Sequence, residues 1–140
     1  MTVQRHFTDT PWEPEVGFCR AIRAGSRILV SGTVGLGPDG RAPDGAYAQA
    51  TAAIDRVIAA VEALGGTREH VVRTRMFSTD PQEHLPEIAR AHREAFGASP
   101  PATSLIGTTA LVAPEFVFEI EAEAEILEVS RSNNPQDVGD

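Results

Sequence analysis

Phe116-Val117-Phe118-Glu119-Ile120-Glu121-Ala122-Glu123-Ala124-Glu125-Ile126 is the stretch that decides how this chain folds. Phe116, Phe118, Ile120, Ala122, Ala124 and Ile126 alternate with Val117 and a ladder of glutamates. A period of two describes a β-strand with one buried face and one face of carboxylates. Like charges on one face repel, so that face requires cations, hydrogen-bond donors or open water. For Glu123 and Glu125 a solvated face serves as well as a site. Glu119 and Glu121 sit deeper in the run, flanked by large apolar residues, and there a shaped site is the better reading.

Before this strand, Ala102 to Ile106 reads as a short strand and Asp80-Pro81-Gln82-Glu83 as a helix start. Asp80 is the N-cap, Pro81 occupies the first turn and Glu83 closes a capping-box-like pair. That helix carries Leu85, Ile88, Ala89, His92 and Phe96 to Gly97, with Pro86 in its early turns, where a missing N–H costs least. Val71 to Phe77 alternates and is β-branched. Ile54, Val57, Ile58, Val61 and Leu64 give a helix from Ala46 to Leu64, closed by Gly65-Gly66. Phe18 to Ala24 and Arg27 to Gly32 pair as a hairpin across Gly25-Ser26. Gly35 to Gly45 is a loop without a phosphate-binding pattern. The order predicts an α+β fold: a mixed or antiparallel sheet with two helices packed on one face. Residues 1–128 form one domain, 1–16 being an irregular N-terminal arm, and 129–140 a flexible tail.

At 140 residues the chain suits one domain, and 41% hydrophobic residues suit a globular one. No apolar run reaches the roughly 18 residues of a membrane span, and no signal-peptide pattern opens the chain. Cys19 is the only cysteine, so no disulfide closes within the chain, and the cytoplasm is the expected compartment. The net charge of −8, with scattered arginines and no basic stripe, argues against nucleic acid. His6, His70 and His84 lack metal-ligand spacing, so no metal is expected. Cys19 alternates with Phe18 and Arg20 and is expected to face the helices as a buried thiol, and His92 to be a satisfied core histidine.

Pro100-Pro101-Ala102-Thr103-Ser104, followed by Glu119-Ile120-Glu121-Ala122-Glu123-Ala124, resembles the C-terminal half of the RidA family, also called YjgF/YER057c/UK114. Val30-Ser31-Gly32 and Val71-Val72-Arg73-Thr74 are similar to its central segments, and the resemblance covers about residues 17 to 126. It implies the chorismate-mutase-like fold, also labelled endoribonuclease L-PSP, and a homotrimer with clefts between subunits. It also implies cofactor-free hydrolysis of reactive enamines and imines to ketones and ammonia. Glu121 matches the family glutamate that positions the hydrolytic water, and Gly32 becomes a binding candidate. One position departs: typical deaminases carry Pro-Ala-Arg-Ser, and the matching residue here is Thr103. A hydroxyl does not replace a planar cation that forms two parallel bonds to a carboxylate. Phe18 stands where the family has a cleft tyrosine, and Arg20 where it has a glutamine.

The face away from the helices is expected to carry Phe18, Arg20, Arg73, Arg75 and Glu119 or Glu121, a mixture that burial in a symmetric oligomer accommodates. Glu121 is the catalytic candidate, with Glu119 able to take either part. Arg20 or Arg75 would supply the anion-binding cation absent at Thr103, unless both only neutralise the glutamates. Backbone groups near Ile106 and Gly107 would polarise a substrate. Three functions follow: an atypical family enzyme hydrolysing or tautomerising a small anionic or unsaturated metabolite, a trimer that binds such a metabolite without turnover, and a scaffold protein.

Overall fold

A computed structural model describes residues 2–127; the tail expected over 129–140 lies outside them. Strands β1 (Val3–His6), β2 (Ala21–Ala24), β3 (Arg27–Val34), β4 (Val71–Ser78), β5 (Ala102–Gly107) and β6 (Phe118–Glu125) form one sheet in the order β1-β2-β3-β6-β4-β5. The glutamate-bearing strand is thus central, antiparallel to β3 on one side and β4 on the other. Among the described residues only β4 and β5 run parallel, joined by helix α3 (Pro81–Phe96). Helix α2 (Ala46–Ala63) joins β3 to β4. The long helices pack on each other, α2 against β3 and β6 and α3 against β4 and β5, so the mixed α+β sheet has its helices on one face.

Alternation places Phe118, Ile120, Ala122 and Ala124 under the helices, all nearly without solvent exposure. They meet Ala50, Ile54, Val57 and Val61 of α2, spaced three and four apart, and Ile88 and Phe96 of α3. Gly65, at φ 91°, ends α2: the Gly66 N–H bonds to the Val61 carbonyl and the Gly65 N–H to that of Glu62, both bonds of a Schellman motif. Asp80 Oδ1 accepts from the Glu83 N–H at 3.2 Å, capping α3 as its sequence indicates. His92 is hydrogen-bonded as expected, its Nε2 lying 2.8 Å from Thr74 Oγ1, but it is half-buried at the rim of the core and not inside it.

The N-terminal segment departs from expectation. Instead of an irregular arm, it forms β1, paired with β2, and the five-residue helix α1 (Trp12–Val16). The cause is Glu13, which is 3% exposed. Its carboxylate accepts from the Thr8 N–H at 2.9 Å, the Thr8 hydroxyl, the Thr10 N–H at 3.1 Å and the Thr10 hydroxyl. Burial alone raises its pKa, but these bonds outweigh it and bring the group down to about 2. Gly17, at φ 86°, ends α1 and turns the chain, so β2 begins at Ala21 and not at Phe18. Cys19 is consequently half-buried in that bend beside Phe18 and Ser31, and not under the helices.

Candidate functional site

Strand β3 carries a bulge opposite β6: Val30 faces Ala122 and Thr33 faces Ile120, so Ser31 and Gly32 add one residue between them. Gly32 thereby lies against the Glu119 side chain. A Cβ on Gly32 would stand 2.9 Å from Glu119 Oε1, so only glycine lets the carboxylate lie this close to the backbone. Arg20 comes in from the bend before β2. Its Nη1 donates to the Gly32 carbonyl at 2.6 Å and to Thr33 Oγ1 at 3.0 Å, and Nη2 lies 3.9 Å from Glu13 Oε2. The Arg20 Nε is buried without a hydrogen-bond partner among the described residues, and the guanidinium lies 5.3 Å from the Phe18 ring centroid.

Phe18, Arg20, Gly32 and Glu119 line one pocket of about 130 Å³, closed by Trp12 and Val16 of α1, Val34, and Val112 of the β5–β6 loop. That loop is held by buried Gln49 of α2, which donates to the Glu115 carbonyl and accepts from the Val117 N–H, each at 2.9 Å. Trp12 meets Phe116 edge to face, tying α1 to the same loop. A volume of this size, well below the usual ~300–1,000 Å³ of ligand pockets, selects a ligand of few heavy atoms.

Burial raises the pKa of Glu119; Arg20 opposes this and the neighbouring Glu121 adds to it. Burial also lowers the pKa of Arg20, against the pull of Glu13 and Glu119, yet a guanidinium stays charged. The pocket therefore sets a carboxyl group of increased proton affinity beside a fixed cation and an aromatic wall. Such a group exchanges protons nearer neutrality than an ordinary glutamate does.

The other candidates lie elsewhere. Glu121 projects beside Arg75, with 3.3 Å between Oε1 and Nη1, and Arg75 also reaches Glu123 at 3.4 Å. Both members of the Arg75–Glu121 pair are over a third exposed, which is the neutralising arrangement. Thr103 pairs with Thr74 in register and so faces the helices, opposite to Arg75 and Glu121. Ile106 and Gly107 end the edge strand β5, two strands from Glu119, where Gly107 abuts Pro81. Sequence reasoning missed Trp12, Glu13, Val16, Gln49 and Val112. Thr10-Pro11-Trp12-Glu13 was a readable capping-box pattern; nothing in the sequence announced Val112 or Gln49.

Among the described residues no helix is long and apolar enough to cross a membrane. Among them, too, no group of three or more His, Cys, Asp or Glu side chains is placed to hold a metal ion. The profile of the Endoribonuclease L-PSP family matches residues 8–126. The Streptomyces coelicolor protein SCO2049 is 31% identical over 123 residues, which cover 87% of this chain and 91% of that one. The Escherichia coli RutC family protein YjgH is 34% identical over 112 residues, 79% of this chain and 84% of its own. The crystal structure of Rv2704 from Mycobacterium tuberculosis, a member of the YjgF/YER057c/UK114 family, superposes with a TM-score of 0.83 at 36% identity, over 89% of this chain and all of that one. A profile match over most of the chain, relatives above 30% identity and this shared sheet place the chain in the Endoribonuclease L-PSP family, that of YjgF/YER057c/UK114 and RidA.

Proposed function

We propose that the chain is an atypical member of its family: a cofactor-independent enzyme that hydrolyses or tautomerises a small enamine- or imine-like metabolite in clefts of a homotrimer. The observation that carries this is the pocket of Glu119, with its raised pKa, set against Gly32 and Arg20. Protonated Glu119 delivers its proton to the enamine carbon or the imine nitrogen. Its carboxylate then takes a proton from the attacking water as the carbinolamine forms, returns that proton to the nitrogen so that the C–N bond breaks and ammonia leaves, and accepts the hydroxyl proton as the ketone forms. Arg20 balances the charge that forms and is too enclosed to swing out as a solvent-facing clamp. Glu121, the residue that the family resemblance marks for the water, acts in this reading through its charge, which favours the protonated form of Glu119.

The mixed outward face supports the trimer. Leu29, Val72 and Ile106 are all exposed there or at its edges, among the Arg–Glu pairs. In the pocket Arg20 is already engaged by Gly32, Thr33 and Glu13, and Phe18 carries no hydroxyl, so a substrate carboxylate is poorly held and enamines derived from serine or threonine are poor substrates. Ammonia release from those enamines and from a panel of imines lacking a carboxylate tests the reading. Turnover should be confined to the second group and fall by about two orders of magnitude or more in Glu119→Gln. Efficient turnover of the serine-derived enamine, or a fully active Glu119→Gln, would overturn it. Saturable binding of these compounds without turnover would instead mark a binding protein.

A further inference from the structure

On the opposite side of the sheet from Glu119, α3 and the edge strand β5 stand apart over a groove of about 390 Å³. Met76, Leu85, Ile88, Phe96 and Leu105 make its walls apolar. One polar chain enters it. Thr74, fully buried, donates its hydroxyl proton to Thr103 Oγ1 at 2.7 Å. The Thr74 oxygen is then left to accept, and the His92 tautomer that satisfies it, with its Nε2 2.8 Å away, carries the ring proton on Nε2. This order leaves the Thr103 proton itself at the end of the chain, on an exposed residue lining the groove. The His92 ring is tilted on Phe96 with 5.0 Å between centroids, which fixes its plane.

We propose that this groove binds a small uncharged molecule with an apolar body and a single carbonyl or imine acceptor, which takes the Thr103 hydroxyl proton. The chain His92–Thr74–Thr103 polarises that hydroxyl, since each donor in a series strengthens the next. The volume falls within the ~300–1,000 Å³ usual for ligand pockets, and walls of this kind bind by apolar burial with few polar contacts. Among the described residues, two ionisable groups reach the groove. Arg93 is exposed, so its charge stays in water, and burial lowers the pKa of His92, so its ring is neutral at pH 7. A carboxylate seated beside Thr103 would lose hydration without a buried cation to compensate it.

The inference stands on residues other than those of the Glu119 pocket, so loss of turnover in Glu119 variants does not touch it. The test is a titration of the protein, carrying 15N-labelled histidine, with cyclohexanone as the neutral acceptor probe. We expect a saturable shift of the His92 ring nitrogens. Thr103→Val should weaken binding about fivefold or more, as for a lost hydrogen bond, and Thr103→Ser should preserve it. Cyclohexanecarboxylate should bind more weakly than cyclohexanone. A silent His92 resonance, equal affinity in Thr103→Val, or tighter binding of the carboxylate would overturn the proposal.

Discussion

Gly32 and Glu119 show how one missing side chain shapes a site. Glu119 is desolvated because it lies on the Gly32 backbone, and any Cβ there would stand within 2.9 Å of its oxygen. Gly32→Ala should turn the carboxylate out toward water at little cost to the fold, since only the end of a flexible side chain must move. Its proton affinity then returns toward that of an ordinary glutamate, so the pH–rate profile should shift to lower pH and the thermal midpoint at pH 8 should not fall. Glu119→Gln tests the energetics from the other side. A carboxyl whose folded pKa is raised binds more protons folded than unfolded, so stability falls as pH rises from the unfolded value, near 4.5, through the folded one. Glu119→Gln removes that penalty. The variant should melt at higher temperature than the parent at pH 8, with the difference vanishing near pH 4. An unchanged melting temperature at pH 8 would mean that the carboxylate is not held at a cost.

At the scale of elements, α1 acts as a latch. It has five residues, too few to persist alone, and it holds because Glu13 gathers four donors from Thr8 and Thr10. Since α1 brings Trp12 and Val16 to the pocket, the latch and the site are coupled. Glu13→Gln should cost about 2 kcal/mol, the effect of several charge-assisted bonds reduced to neutral ones. It should also accelerate amide exchange at Thr8 and Thr10 more than anywhere in the core. With Glu13 titrating near 2, the same contribution in the parent is present above about pH 4.5 and is lost as pH falls toward 2. The long elements were legible in the sequence because their periods are: two in β6, three and four in α2, and a caps-and-breakers grammar around α3. The short ones were not, since Pro11 and Pro14 read as breakers while side-chain bonds across Thr8, Thr10 and Glu13 hold the segment together. The site was half legible. Phe18, Arg20 and Glu119 were placed on one face together with Glu121, Arg73 and Arg75, and Gly32 was named apart from them, but the bulge that joins Gly32 to Glu119 adds one residue at Ser31-Gly32, and no hydrophobic pattern marks its position. The facing of Thr103 followed from its register with Thr74, a long-range fact that local sequence does not contain.

For the whole molecule, the question is what covers the sheet face turned away from the helices. In one chain the pairs Arg75–Glu121, at 3.3 Å, and Arg27–Glu123, at 3.4 Å, are substantially exposed, and pairs of that kind contribute about 0–1 kcal/mol. Under a neighbouring subunit the same pairs would be desolvated, and removing one partner would leave a buried charge at a cost of about 3–5 kcal/mol. Magnitude therefore separates the two states. If the proposed trimer covers this face, Arg75→Met should leave Glu121 without its cation at the interface and Glu123 with Arg27 alone. The protein should then pass from three chain masses to one in sedimentation at micromolar concentration. If the face meets water, the same substitution should change neither mass nor melting temperature measurably. Salt gives an independent reading, because exposed pairs weaken as the Debye length falls from about 10 Å at 0.1 M to about 3 Å at 1 M, whereas enclosed ones are little screened. A trimer that persists in 1 M salt and dissociates in Arg75→Met would locate Arg75 inside the assembly. A parent chain sedimenting as a monomer would remove the clefts, and the proposed chemistry would have to proceed within the single-chain pocket of Glu119.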